Sequence, residues 1–219
     1  MPNTSYSLTI ASREYLGTLL ALALVLVFIH IGLYLYYYQV EELPWLLVQL
    51  FDLDEENNIP TWYSSFLLLN CAFFLLLYSG ADQTQKPFHW RLIGLGFFIL
   101  AIDEVAGLHE SFNSSIEMNW AIPGGILVLF VAAAFVPFLM SLPRRLLVLL
   151  LASGFLYVSG AIVVELLSED MDSDTLSYMM AVAVEEGLEM LGALLFLATI
   201  LSQMKKNEES EVVVDVTLE

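Results

Sequence analysis

The stretch Val182–Leu197, VAVEEGLEMLGALLFL, reads as a helix bound for lipid, yet it carries Glu185, Glu186 and Glu189. Crossing a bilayer takes about 20 mostly apolar residues per helix. Around this stretch the apolar run extends over residues 176–202, and five further runs of that kind precede it, at about 15–38, 61–80, 90–108, 121–140 and 145–167. The chain of 219 residues is 58% hydrophobic with a mean hydropathy of +0.75, which excludes an ordinary soluble domain. The first run is too long for a signal peptide, and no small-residue cleavage site follows Tyr36-Tyr37-Tyr38. The expected fold class is all-α: a polytopic membrane protein with six transmembrane helices over residues 1–204.

Lys and Arg are retained on the cytoplasmic side of membrane proteins. Arg13 precedes the first run, Lys86 and Arg91 lie at the second connection, Arg144 and Arg145 at the fourth, and Lys205 and Lys206 follow the last. One arrangement satisfies all seven, with both termini cytoplasmic. It implies a cell-membrane protein, such as one of the bacterial inner membrane, with the lipid bilayer as its first partner. Most of the 25 acids then fall in the outer loops or the outer ends of the helices, where no base accompanies them. Such a field concentrates cations and repels nucleic acid, so no nucleic-acid partner is expected. The single Cys71 sits in mid-helix, which excludes an internal disulfide and a cysteine-based metal site. Residues 205–219 read as a disordered acidic cytoplasmic tail. Asn113-Ser114-Ser115 is a formal glycosylation acceptor that matters only in a eukaryotic secretory context.

Depth brings the buried acids together. At 1.5 Å per residue, Asp103 lies about 10 Å below the outer surface; entering from Tyr178, Glu185 lies about 10 Å and Glu189 about 16 Å below it. Glu165 and His30 could reach the same level. Residues three, four or seven apart share a helical face, so Asp103, Gly107 and Glu110 form one stripe with Glu104 beside it, while Glu185 and Glu189 form another with Glu186 adjacent. Glycines 107, 187 and 192 would let the helices approach closely. An ionised acid in mid-membrane costs about 2.5 kcal/mol or more, and no base is at hand. The compensating partners are therefore protons, a metal ion, His30 and His109, hydroxyl and amide groups such as Ser64, Ser65 and Asn70, or water in an outward-open cavity.

Carboxylate oxygens with one imidazole suit a divalent metal ion, and a bundle core is a usual place for one. The expected ligands are Asp103, His109, Glu110, Glu185 and Glu189, with Glu104 or Glu186 left as a general base on metal-bound water, a catalytic role in a metal-dependent intramembrane hydrolase. The helical Glu-x-x-His of di-iron bundles is absent. His109, five residues after Glu104, is poorly spaced unless the helix ends or kinks near Gly107. Two other readings stay open. In a cation- or proton-coupled transporter the same acids would be transit sites, although "RLIGLGFFIL" and "LGALLFLATIL" leave the inner half almost without polar groups, as in a blind pocket. In a non-catalytic subunit the acids would be a protonated helix clasp, with a membrane-protein partner or a second copy of the chain.

In the first outer loop, Leu43, Leu46, Leu47, Leu50 and Phe51 recur at helical spacing beside Trp45, which predicts an interfacial helix over 43–51. Asp52, Asp54, Glu56 and Asn58 follow at every second position, like the start of a calcium loop, but the turn glycine is missing and Tyr63 stands where the bidentate Glu belongs. A looser cation clip or a helix cap is what remains.

"FDLDEENNIPTWYSS", "AIDEVAGLHE" and "VEEGLEMLG" together resemble a family of small, uncharacterised multipass membrane proteins of bacteria, over roughly residues 45–200. The resemblance implies a topology and recurring acids, without an activity. The order of elements also bears a much fainter similarity to the alkaline ceramidase and progestin-receptor group of intramembrane hydrolases, which implies zinc held by three histidines; the positions matching its last pair are here Glu185 and Glu189.

Overall fold

The computed structural model describes residues 4–81, 85–109, 111, 118–204 and 211–218. The helices that can be bounded among the described residues are α1 (Ser12–Gln39), α2 (Trp45–Phe51), α3 (Ile59–Gly80), α4 (Pro87–Ala106), α5 (Ala121–Leu139), α6 (Arg144–Ser168) and α7 (Leu176–Met204). Each of the six runs expected from the sequence is a helix, and the short interfacial one is α2. Five of them, α1, α3, α5, α6 and α7, are long and apolar enough to cross a membrane. The sixth, α4, has 20 residues but carries Arg91, Asp103 and Glu104.

The six long helices alternate in direction, with α2 in the connection between α1 and α3, and hydrogen bonds between connections fix which ends lie together. At one end Lys86 donates to Ser141 Oγ (2.6 Å), joining the α3–α4 connection to that between α5 and α6. At the other, Tyr178 donates to Asp54 (3.0 Å) and Asn119 to Glu165 (3.1 Å).

The core lies where α7 crosses α1, α3 and α6; Leu75, Leu197, Ile200 and Leu201 there are wholly buried. Lipid tails are as apolar as leucine, so close packing and interhelical hydrogen bonds hold such a bundle rather than a hydrophobic drive between helices. The polar contribution is visible. Ser65 donates to the Ala101 carbonyl (2.8 Å), Tyr63 to Leu19 and Tyr15 to Asn70, each bond contributing about 0.6 kcal/mol by the average for membrane proteins. The close packing depends on two glycines. A Cβ at Gly192 would lie 2.6 Å from Tyr157 N, and one at Gly160 would lie 2.5 Å from the Glu185 carbonyl oxygen, so α6 and α7 touch backbone to backbone. Of the glycines expected to serve this purpose, Gly192 does; Gly187 has only ordinary contact, and Gly107 has another role described below. Gly160 falls in a π-helical turn, Ser159–Val164, which widens α6 beside α7.

Two elements depart from a simple bundle. Outside its ends α5 hardly touches the rest: Ala121 and Phe138 are its only buried residues, Phe138 lying against Trp90 and His89 of α4. And β1 (Thr4–Ala11) pairs antiparallel with β2 (Glu211–Leu218), in register from Thr4 with Leu218 to Ala11 with Glu211. This adds a small sheet to the all-α architecture and corrects the expected disorder for 211–218; residues 205–210 lie outside the described ones. The acids of EVVVDVTL suggest a solvated tail, but its β-branched residues favour a strand once Thr4–Ala11, with alternating polar and apolar residues, is beside it.

Candidate functional site

The acids of α7 open into a cavity of about 240 Å³ at the acidic end of the bundle. Spacing decides its walls. Tyr178, Val182, Glu185 and Glu189 recur at three or four residues along α7, and Tyr157, Ala161 and Glu165 at four along α6, so each set presents one stripe to the cavity. From α4 come Leu100, Asp103 and Glu104, and from the turn after α2 come Leu53 and Asp54. Because α4 packs along α3 and scarcely meets α7, the carboxylates of α4 and α7 face each other across open space. Glu104, Glu186 and Glu189 all lie within electrostatic reach of one another.

The end of α4 shapes the rim. Gly107 caps it in the left-handed conformation (φ 57°), which favours glycine, and its N–H is bonded to the Asp103 carbonyl at 2.9 Å. The chain therefore turns back. His109 N donates to Asp103 Oδ1 (3.2 Å) and its ring Nδ1 meets Oδ2 (3.1 Å), with Trp120 beside the ring at 5.2 Å. The helix end that the spacing of His109 requires is thus present at Gly107. The Glu56 carboxylate sits on Gly107, where a Cβ would come within 2.0 Å of it. Burial pushes the Glu56 carboxyl above its ordinary value; His109 opposes this and Asp103 adds to it.

Of the predicted site residues, Asp103, Glu104, His109, Glu185, Glu186 and Glu189 line the one cavity. Glu110 lies outside the described residues. Sequence reasoning missed Asp54, Trp120, Tyr157 and Tyr178 as lining residues. The spacing of Tyr157 eight residues before Glu165, and of Tyr178 four before Val182, was the available signal. A deeper recess is bounded by Ser64, Glu104, Tyr157 and Glu189, with the buried Ser64 hydroxyl beside the Glu104 carboxylate. Farther in, the bundle is closed by Leu197, Ile200 and Leu201 and by Phe97 packed on Phe196 at 4.4 Å.

His30 is not among the lining residues. Completely buried, its Nε2 is bonded to the Met179 carbonyl at 3.0 Å, and its Nδ1 lies 3.0 Å from Leu53 N, so the imidazole ties α1 to α7 and to the outer loop. Nor do the alternating polar residues of that loop converge. Asp52 accepts from Tyr34 and from Asp54 N and lies 3.3 Å from His30, whereas Asn58 caps α3 by accepting from Thr61 N (3.1 Å) and donates to the Asp52 carbonyl (2.6 Å). The helix-cap reading describes this loop. Burial would push the Asp52 carboxyl up, but its interactions with His30, then with the Tyr34 hydroxyl and Asp54 N, outweigh it and hold the carboxyl below its ordinary value.

The chemistry open to the cavity follows from its charge. Seven carboxylates line it and no Lys or Arg does, so the positive charge they require comes from protons or from a bound cation. Among the described residues no three His, Cys, Asp or Glu side chains converge as a metal ion requires. Trp120, Tyr157 and Tyr178 supply aromatic surface among the acids. No curated protein and no solved structure matches the chain, and nothing links it to the alkaline ceramidase group. A family model does match, over residues 18–204, a span holding every helix that lines the cavity. The chain belongs to the family described as Domain of unknown function (DUF8692).

Proposed function

We propose that the protein is a six-span membrane protein whose cavity, open to the outside, binds a cation. The observation that carries this is the lining itself: seven carboxylates from α4, α6, α7 and the first outer loop around one space, with no base among them. The pairing of β1 with β2 puts the two ends of the chain on one side of the bundle, which requires an even number of crossings and supports counting α4 as the sixth. Arg13, Lys86, Arg91, Arg144 and Arg145 lie towards that side and the cavity opens at the other, which supports cytoplasmic termini.

The closed inner half favours a binding pocket over a transport path. Divergence of the side chains favours a cation of low charge density over a bare divalent ion, which requires oxygen ligands converging at fixed short distances. A ligand that binds the folded state raises its stability by mass action. Thermal unfolding in a neutral detergent is therefore expected to shift upward with methylammonium chloride beyond the shift given by sodium chloride, and the excess is expected to vanish in Glu186→Gln/Glu189→Gln. Equal shifts for the two salts, and for calcium and manganese at matched ionic strength, would leave the acids as a protonated clasp between helices.

A further inference from the structure

The wall that α6 gives to the cavity differs from the one a regular helix would present. Tyr157 and Glu165 both line the cavity, yet they stand eight residues apart. At 3.6 residues per turn, eight residues overshoot two full turns by about 80°, so an unbroken α-helix aims Glu165 to one side of Tyr157. The residue it would bring over Tyr157 is Val164, which falls within about 20° of the same line. Val164 is not among the residues that line the cavity. The difference lies in the π-helical turn Ser159–Val164, which falls between Tyr157 and Glu165. Its i→i+5 bonding takes up one residue more than an α-helical turn, so the chain beyond it is set back by one position. Glu165 thereby takes the place of Val164.

Contacts on several sides hold this register. Gly160 lets the turn meet α7, where a Cβ would lie 2.5 Å from the Glu185 carbonyl oxygen, and Ile162 lies beside Gly125 of α5. The buried Ser168 hydroxyl is shared between the Val164 and Glu165 carbonyls at 3.1 and 3.2 Å, while Val163, Leu166 and Leu167 stay exposed for lipid. Asn119 fixes the acid itself: its Nδ2 donates to Glu165 Oε1 (3.1 Å), and its Oδ1 accepts from Ala121 N (2.8 Å) at the start of α5. π turns are rare and concentrate at functional sites. We propose that the π turn of α6 sets the register that makes Glu165 a cation-binding residue of the cavity, with Asn119 as its positioning residue. This rests on the cation-binding reading and adds to it an acid whose place depends on a departure from helical geometry.

The test has two arms, both on the full chain in neutral maltoside micelles. The first reads the register without any cation. In a Cys71→Ser background carrying Asn119→Cys, a second cysteine is introduced by Glu165→Cys or by Val164→Cys, and a two-carbon bis-methanethiosulfonate linker is added. The expected result is an internal cross-link between positions 119 and 165, read by mass, and little between 119 and 164. Equal coupling of the two pairs, or more at 164, overturns the proposal, because α6 would then be a regular helix. The second arm reads the cation. The methylammonium concentration giving half of the excess thermal shift is expected to rise about tenfold or more in Glu165→Gln. It should rise as far in the exchange Val164→Glu/Glu165→Val, which keeps the number of acids and alters only their place. Where the exchange variant fails to fold, Glu165→Gln and the cross-link still decide. An excess shift unchanged in Glu165→Gln overturns the role of Glu165 and leaves cation binding to the other acids. No excess shift in the unaltered chain removes the cation-binding reading, and the role of Glu165 with it.

Discussion

At the scale of single residues, the outer end of the bundle is held by side chains whose polar atoms have set partners. His30 joins three segments through two backbone groups, and its loss leaves Leu53 N without its acceptor and removes the tie from α1 to the Met179 carbonyl of α7 in a buried place. His30→Ala is expected to destabilise the protein by about 2–4 kcal/mol, read from chemical unfolding in detergent, with Tyr178 and Leu53 displaced from the cavity rim. Asp52 gives a pH dependence of known sign. Its carboxyl is held below the ordinary value, so its contribution is complete above the ordinary aspartate range and is lost as pH falls through the folded value. Thermal midpoints should drop on acidification below that range, and Asp52→Asn should flatten the drop. Glu56 has the opposite sign: burial raises its carboxyl, so ionisation costs stability as pH rises from the ordinary glutamate range through the folded value. Glu56→Gln should therefore stabilise the protein at neutral pH relative to acid, and a midpoint difference that does not change with pH would count against this account.

At the scale of elements, the sequence disclosed helices readily and their contacts poorly. Apolar runs of membrane length mark α1 and α3 to α7 to within a few residues, because a bilayer imposes both length and composition. The facing acid stripes of α4 and α7 were legible from helical spacing alone. The π-helical turn in α6 was not, since a widened turn leaves no period in the sequence, and with it went the close approach of Gly160 to Glu185. The end of α4 was legible only as a condition on His109; Gly107 supplies it by taking a positive φ. Gly160→Leu should separate α6 from α7 and cost about 2 kcal/mol or more as overpacking, because the nearest atom met, the Glu185 carbonyl oxygen, is backbone and cannot swing aside. A stability equal to wild type would mean that α6 and α7 lie farther apart than described.

At the scale of the whole molecule, charge divides the bundle into a basic end and an acidic end, and this division was the part of the fold most open to reading from sequence. Positive charge sets orientation, while the acids collect where nothing constrains them. Strand pairing of the two ends was hidden by the acidic composition of 211–218. In a Cys71→Ser background, a cysteine at Asp172 should react with an impermeant maleimide added outside cells, and one at Gln85 should react only after the membrane is opened. Labelling of both from one side would contradict six crossings.

The central claim is that the seven carboxylates surround a cation, and diffraction from crystals grown with thallium(I), which matches ammonium in charge and approximates it in size, tests this most directly. The account predicts an anomalous peak in the cavity between the acids of α4 and those of α7, absent in Glu186→Gln/Glu189→Gln. A cavity without that peak, its carboxyls paired with one another, would contradict it.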